Sequence, residues 1–306
     1  MEGLAGRDFL RVADWSADEL TRVLDLADRL KDERRRRKPH ALLPGRSLGL
    51  VFEKPSLRTR VSFEVAIAEL GGSSVHLAGA EIGLGERESP REIGRVLSGY
   101  LDAILVRTFS QALVDDLAEH ATVPVINALT DSSHPCQALA DAMTIRERLG
   151  RLEGVRVAWV GDGNNVCASL MVIAAKLGMK FVVSSPAGYE PASAVVEIAR
   201  AAGGEPQLLN DPAAAVSGAD VVSTDVWTSM GREAEREQRL CDFAGYRLDA
   251  DALKAAKDDA IVLHCLPAHI GEEITEDVLY GAQSAAWDEA ENRLHTAKAL
   301  LALIVA

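Results

Sequence analysis

Apolar and polar positions along the chain alternate between two periods. Short apolar runs, many of them β-branched, fall at 47–52, 74–78, 103–107 and 122–127, and again at 155–160, 180–184, 206–209, 220–224 and 260–264. Between most of these runs, apolar residues recur at three- and four-residue spacing, the signature of an amphipathic helix. Leu20, Val23, Leu24, Ala27 and Leu30 form one such stripe, and Ser16 and Glu19 ahead of it have capping-box spacing. A second helical pattern stops at Gly71-Gly72. A third opens with Ser89-Pro90, an N-cap followed by proline at the first helical position. The clearest helix of the later half covers 165–177. Strands separated by helices of about ten residues predict parallel sheets with helices on both faces. Two such series predict an α/β protein of two doubly wound domains, 1–135 and 136–287, joined through the helical stretch 136–149. A long apolar helix, 288–306, is expected to pack back on the first domain. No internal repeat or low-complexity segment interrupts the pattern.

Composition narrows the class. The 306 residues are 48% hydrophobic and 26% charged, a balance that supports two buried cores. No apolar run reaches about 18 residues, so no membrane span is expected. Residues 1–15 mix acids and bases and do not read as a secretory signal. A net charge of −13 argues against a nucleic-acid-binding surface. The basic run 34–38 closes the first predicted helix, where positive charge complements the helix dipole. Cys136, Cys167, Cys241 and Cys265 show no CxxC, hence neither a disulfide framework nor a zinc pattern. A reduced, cytoplasmic protein is the plain expectation.

In open α/β sheets, ligands bind beyond the carboxyl ends of the strands. Nearly every unusual polar cluster of this chain sits there. Phe52-Glu53-Lys54-Pro55-Ser56-Leu57-Arg58-Thr59-Arg60 follows the first strand and opens a helix, whose free N–H groups and positive dipole end suit a phosphate. Ser56 and Thr59 add hydroxyls, and Arg58 adds a planar fork matched to phosphate; the bland alternative is a capped helix with surface arginines. Arg107 ends another strand and is placed to reach the same anion. In His134-Pro135-Cys136-Gln137 the proline holds His134 extended at a helix start, leaving His134 and Gln137 as donors for a carbonyl or amide.

Gly161-Asp162-Gly163-Asn164-Asn165-Val166 invites a dinucleotide reading. Val166 replaces the third glycine, however, and no acid cleanly ends the next strand near Ser184. Asn164 and Asn165 instead offer amides to a polar ligand. In the segment from Asp225 to Gly231, Asp225 suits an ammonium, and Ser229 with the backbone near Met230 suits a carboxylate. Cys265, in His264-Cys265-Leu266-Pro267, is a base, a nucleophile, a hydrogen-bonding group or an inert buried thiol.

Taken in order, these clusters resemble one family. Ser56-Leu57-Arg58-Thr59-Arg60 is similar to the Ser-Thr-Arg-Thr-Arg phosphate motif of aspartate and ornithine carbamoyltransferases, and His134-Pro135-Cys136-Gln137 to their His-Pro-x-Gln motif. Gly161 to Asn165, Asp225-x-Trp227-x-Ser229-Met230-Gly231 and His264 to Pro267 resemble the ornithine branch, and the likeness runs on to Glu289 to Arg293. It implies two domains with the active site in the crevice between them. It also implies that Ser56, Leu57 (through its backbone), Arg58, Thr59 and Arg107 bind the phosphate of carbamoyl phosphate. His134, Gln137, Cys265, Leu266 (through its carbonyl) and Arg293 would surround the carbamoyl group, and Asn165, Asp225, Ser229 and Met230 would hold L-ornithine. Arg107, His134, Asp225 and Cys265 are the implied catalytic residues. No metal or organic cofactor is called for, and a homotrimer or an assembly of trimers is implied.

Two positions depart from the pattern. Leu57 replaces a threonine, which implies rebalanced phosphate contacts. In the loop 80–89, expected to reach a neighbouring subunit's site, Gly83 stands where a polar residue is usual, with Arg87 as a substitute. The competing readings are a carbamoyltransferase for N-acetylornithine or putrescine, a non-catalytic relative, and a nicotinamide dehydrogenase.

Overall fold

The computed structural model describes residues 3–84 and 87–305. They form two compact units, Met1–Met143 with Glu291–Ala306 and Thr144–Ala290. The chain passes between units inside two helices, Pro135–Leu149 and Ala286–Ile304. No helix among the described residues is long and apolar enough to cross a membrane.

The first unit is built on β1 (Ser47–Phe52), β2 (Ser73–Ala78), β3 (Ala103–Arg107) and β4 (Val125–Leu129), all parallel, in the order β2-β1-β3-β4. Its longer helices are α1 (Ala17–Arg35), α2 (Leu57–Glu69), α3 (Pro90–Ser98), α4 (Gln111–His120), the start of α5 (Pro135–Leu149) and, out of sequence, most of the last helix, with a single turn at Gly79–Ile82. The expected caps form. Ser16 and Glu19 make a reciprocal capping box on α1, and Ser89 and Glu92 make another on α3. Leu20, Val23, Leu24, Ala27 and Leu30 are all buried, as their spacing predicts. All five residues of β3 are buried, as befits a central parallel strand covered on both faces, whereas no residue of the edge strand β2 is buried. The closing helix is tied in by two buried lysines. Lys31 Nζ donates to Asn292 Oδ1 at 2.7 Å, and Lys298 Nζ donates to Glu69 Oε2 at 2.8 Å.

The second unit contains β5 (Arg156–Val160), β6 (Lys180–Ser184), β7 (Gln207–Leu209), β8 (Val221–Thr224) and β9 (Ile261–His264), parallel in the order β7-β6-β5-β8-β9. Its longer helices are α6 (Asn165–Lys176), α7 (Ser193–Ala201), α8 (Pro212–Val216), α9 (Arg236–Asp242) and the opening turns of α10 (Ala286–Ile304), with single turns at Ala250–Leu253 and Glu276–Leu279. A core of Val160, Val222, Val262, Trp227, Phe243 and Leu248 fills one side of this sheet.

Both orders reverse direction once, at β1/β3 in the first unit and at β5/β8 in the second. These are the topological switch points, where a doubly wound sheet opens a crevice at its carboxyl edge. The phosphate-like motif follows β1 and Arg107 ends β3. The glycine–asparagine motif follows β5, and Asp225 follows β8.

Candidate active site

Register sets the first cluster. Phe52 on β1 pairs with Arg107 on β3, and Glu53 N–H donates to the Arg107 carbonyl at 2.9 Å, so both strands end level. Ser56 caps α2: its Oγ accepts from Thr59 N–H at 3.3 Å and donates to Thr59 Oγ1 at 3.1 Å. Thr59 is fully buried, and its Oγ1 also accepts from Arg293 Nη2 at 2.7 Å. Arg293 Nη1 donates to Gln137 Oε1 and lies 3.4 Å from His134 Nε2. Thus Thr59, His134, Gln137 and Arg293, from three separate stretches of chain, converge on one buried point of the first unit. Gln137 is held from behind, its Nε2 donating to Asp141 Oδ1 at 2.8 Å.

A guanidinium only donates, so His134 Nε2 is the acceptor and the ring proton sits on Nδ1. Burial, with Arg293, Arg107 and Arg58 adding positive charge, holds His134 well below the ordinary imidazole value. His134 is therefore a neutral imidazole, suited to hydrogen bonding rather than to acting as a cation. The neighbouring Cys136 is no nucleophile. Its Sγ donates to the Asn127 carbonyl at 3.4 Å, and burial pushes its thiol up to about 12. The Leu57 side chain is 75% exposed, so at this position only the backbone N–H at the α2 N-terminus is available to an anion.

Lys54 lies inside the sequence cluster that follows β1, where its residue type gives it no role. It is buried, donates to Asp131 Oδ1 at 2.5 Å and lies 3.8 Å from the Phe109 ring centroid. It thereby joins the phosphate motif to the segment leading to His134. A buried lysine next to Glu53 looks in sequence like any solvated charge pair. Of the loop 80–89, residues 85 and 86 lie outside the described residues. Gly83 has φ +60 and Arg87 Nη2 donates to Glu88.

The second cluster lies in the other unit. Asp225 is buried beyond β8. Its Oδ2 accepts from Asn164 Nδ2 at 2.8 Å, and its Oδ1 accepts from Cys265 Sγ–H at 3.2 Å. Asn164 is not a ligand amide. Its Oδ1 caps α6 by accepting from Val166 N–H and Cys167 N–H, and its Nδ2 is committed to Asp225. Asn165 opens α6, and Ser229 and Met230 lie in the turn after β8, half-buried and exposed respectively. Gly161 has φ +133. A Cβ on Gly163 would come within 2.2 Å of the Pro191 nitrogen. Both glycines thus answer to this backbone packing rather than to a dinucleotide's pyrophosphate.

Two further buried groups brace this cluster: Arg239, which no sequence motif marks, and His264, which the Cys265 motif contains without a role. Arg239 Nη1 donates to Asp162 Oδ2 and to the Trp227 carbonyl, each at 2.8 Å, and its Nε donates to Glu235 at 2.9 Å. Burial raises the Asp162 carboxyl, and Arg239 works against that rise. Behind Cys265, His264 Nδ1 accepts from Leu266 N–H at 2.9 Å and its Nε2 lies 3.1 Å from Glu273 Oε1. The ring proton therefore sits on Nε2, and the ring clamps Leu266 in the left-handed region at φ +57, which a leucine rarely adopts.

Two family models match almost the whole chain. The aspartate/ornithine carbamoyltransferase carbamoyl-P binding domain covers residues 7–147, and the Asp/Orn binding domain of the same family covers 153–304. Among curated relatives, the anabolic ornithine carbamoyltransferase of Pyrococcus furiosus is 51% identical over 99% of this chain and 97% of its own length. The ornithine carbamoyltransferase of Acidothermus cellulolyticus is 55% identical over 98% and 96%. Among solved structures, the P. furiosus enzyme superposes with a TM-score of 0.96 at 50% identity, covering 100% of this chain and 99% of that one. The Thermus thermophilus enzyme gives 0.89 at 44% identity, with 98% and 99% covered. A phosphate-type helix start after β1, a buried arginine–histidine–glutamine cluster in the first unit and a thiol–carboxylate pair in the second accompany those matches: this chain belongs to the aspartate/ornithine carbamoyltransferase family.

Proposed function

We propose that this protein transfers the carbamoyl group of carbamoyl phosphate to the δ-amine of L-ornithine, giving L-citrulline and phosphate. The observation that carries the choice of ornithine is the Asp225–Cys265 pair, a buried carboxylate with a thiol on one oxygen and an amide on the other. Such a carboxylate favours a primary ammonium, and Ser229 and Met230 follow it to receive an α-carboxylate. Putrescine has no group for that second end.

In this reading Ser56, the Leu57 N–H, Arg58, Thr59 and Arg107 bind the phosphate. His134, Gln137, Arg293, Cys265 and the Leu266 carbonyl bind the carbamoyl group, and Asn165, Asp225, Ser229 and Met230 bind ornithine. The δ-amine loses its proton with the help of Asp225 and Cys265, attacks the carbonyl carbon, and forms a tetrahedral intermediate that expels phosphate. Negative charge grows on the carbonyl oxygen and the leaving phosphate. Fixed donors aimed at those oxygens supply the largest part of such catalysis. A neutral His134 contributes by hydrogen bonding, with the charge left to the arginines. The reaction needs no metal or organic cofactor. We further propose a cytoplasmic homotrimer. Free thiols at all four cysteines support the compartment, and the family resemblance supports the assembly.

The test is citrulline formation from carbamoyl phosphate with ornithine, N-acetylornithine, putrescine and aspartate offered in parallel. Turnover with ornithine alone is expected, together with a fall of at least about 100-fold in kcat/KM for Arg58→Ala. A preference for N-acetylornithine or putrescine would overturn the substrate. Full activity in Arg58→Ala would overturn the anion site, and no turnover with any amine would leave a non-catalytic relative.

A further inference from the structure

We propose that the turn following the Cys265 segment binds a divalent transition-metal ion through His269, Glu272 and Glu273. This goes beyond the transferase reading and stands independently of it. The turn closes tightly, Glu272 N–H donating to the His269 carbonyl and Gly271 N–H to the Ile274 carbonyl, each at 2.9 Å, with Gly271 at φ +90. Side chains spaced i, i+3 and i+4 are thereby gathered on one side. One ring nitrogen and one oxygen from each carboxylate all lie within 4.8 Å of one another.

The two acids are held in a way that surface acids are not. The Glu273 side chain is fully buried. Its Oε1 takes the His269 N–H at 2.6 Å and faces His264 Nε2 at 3.1 Å, while its Oε2, also buried, has no hydrogen-bond partner. Glu272 repeats the arrangement: Oε1 accepts from Arg236, and the buried Oε2 has no hydrogen-bond partner and lies 3.6 Å from His269 Nδ1. A buried carboxylate oxygen left unsatisfied is costly, and each of these calls for a bound cation or water. Carboxylates that ligate metals are typically oriented in this manner, one oxygen fixed by an outer hydrogen bond and the other turned to the ion. The His269 side chain is 42% exposed and provides the route in. One imidazole with two carboxylates and no thiolate suits Zn2+ or Mn2+, with water completing the shell, rather than the all-oxygen shells of Ca2+ or Mg2+. The ion would fix Glu273, and through His264 the Leu266 N–H, so it would stiffen the segment that carries Cys265.

Titration calorimetry of the full chain with Zn2+ tests this. Asp225, His264 and Cys265 also lie close enough to share an ion, so the variants must separate the two places. One equivalent is expected to bind wild type and Cys265→Ser alike, and at least about tenfold more weakly in both His269→Ala and Glu272→Gln. A second equivalent lost only in Cys265→Ser would leave the proposal standing. The proposal falls if wild type takes up no Zn2+ at about 1 mM. It falls equally if His269→Ala and Glu272→Gln bind as wild type does. His269 is exposed and Glu272→Gln keeps the size of a side chain that is 13% exposed, and unchanged circular dichroism would exclude misfolding as the cause of lost binding.

Discussion

At the scale of single residues, two buried histidines make stability fall in mild acid. His134 is held well below its ordinary value, by burial first and then by Arg293, Arg107 and Arg58. His295 is pushed down to about 4, by burial first and Lys298 next, with Glu291 opposing. Both rings stay neutral in the folded chain while the unfolded chain takes up protons below about pH 6.5. The unfolded state then binds more protons, so stability is intact above that pH and is lost as the pH falls from 6.5 toward 4. For His295 the loss is at most about 1.4 kcal/mol per pH unit. Urea unfolding at pH 7.5 and 5.0 should show wild type losing about 2 kcal/mol more than His295→Gln between the two conditions. Equal losses would remove His295 as the cause.

At the scale of elements, the strands and their ends were legible in the chain, because apolar β-branched runs bounded by polar clusters have few other readings. All nine expected strands form, with shifts of at most three residues: one at Ser73 and Gln207, and three at the start of the fourth strand, expected from 122 and formed from Val125. What joins the elements was not legible. Arg293 reaches Thr59 across 234 positions, and Asn164 reaches Asp225 across 61. No local periodicity encodes such partners, and Arg293 entered the site only through family resemblance. Lys54, Arg239 and Glu273 escaped for another reason: a charged residue in a polar stretch carries no mark of its burial. Asn164 holds two roles that substitution can separate. Asn164→Ala removes both the cap on α6 and the donor to Asp225, costing about 1 kcal/mol of stability and raising the KM for ornithine. Asn164→Asp keeps the cap but sets a like charge against Asp225. It should recover most of the melting temperature and none of the ornithine affinity. Thermal melts beside ornithine saturation curves check both arms, and full recovery of KM in Asn164→Asp would refute the second role.

At the scale of the whole molecule, the first unit is assembled from both ends of the sequence. Leu300, Leu301, Leu303 and Ile304 are buried in it, Lys31 and Lys298 anchor the closing helix, and Arg293 completes the carbamoyl-side cluster. A chain ending at 290 should therefore lose more than activity. With about four large apolar side chains withdrawn at roughly 1.5–3 kcal/mol each, the deficit is comparable to the entire stability of a typical domain. Limited proteolysis should cut the first unit of that truncation rapidly while sparing 144–290. Equal resistance in the two would show that the closing helix is dispensable.

That closing helix also sets an order of events during synthesis. Residues 144–290 are made between the two parts of the first unit, which at about 5–20 residues per second takes roughly 7–30 s. Throughout that interval β1 to β4 exist beside an open apolar surface that only the last segment can cover, while the second unit has all its own sequence as soon as position 290 emerges. The part of the protein begun first is thus the part finished last. A nascent chain is most exposed to chaperones and to wrong partners through its first 143 residues.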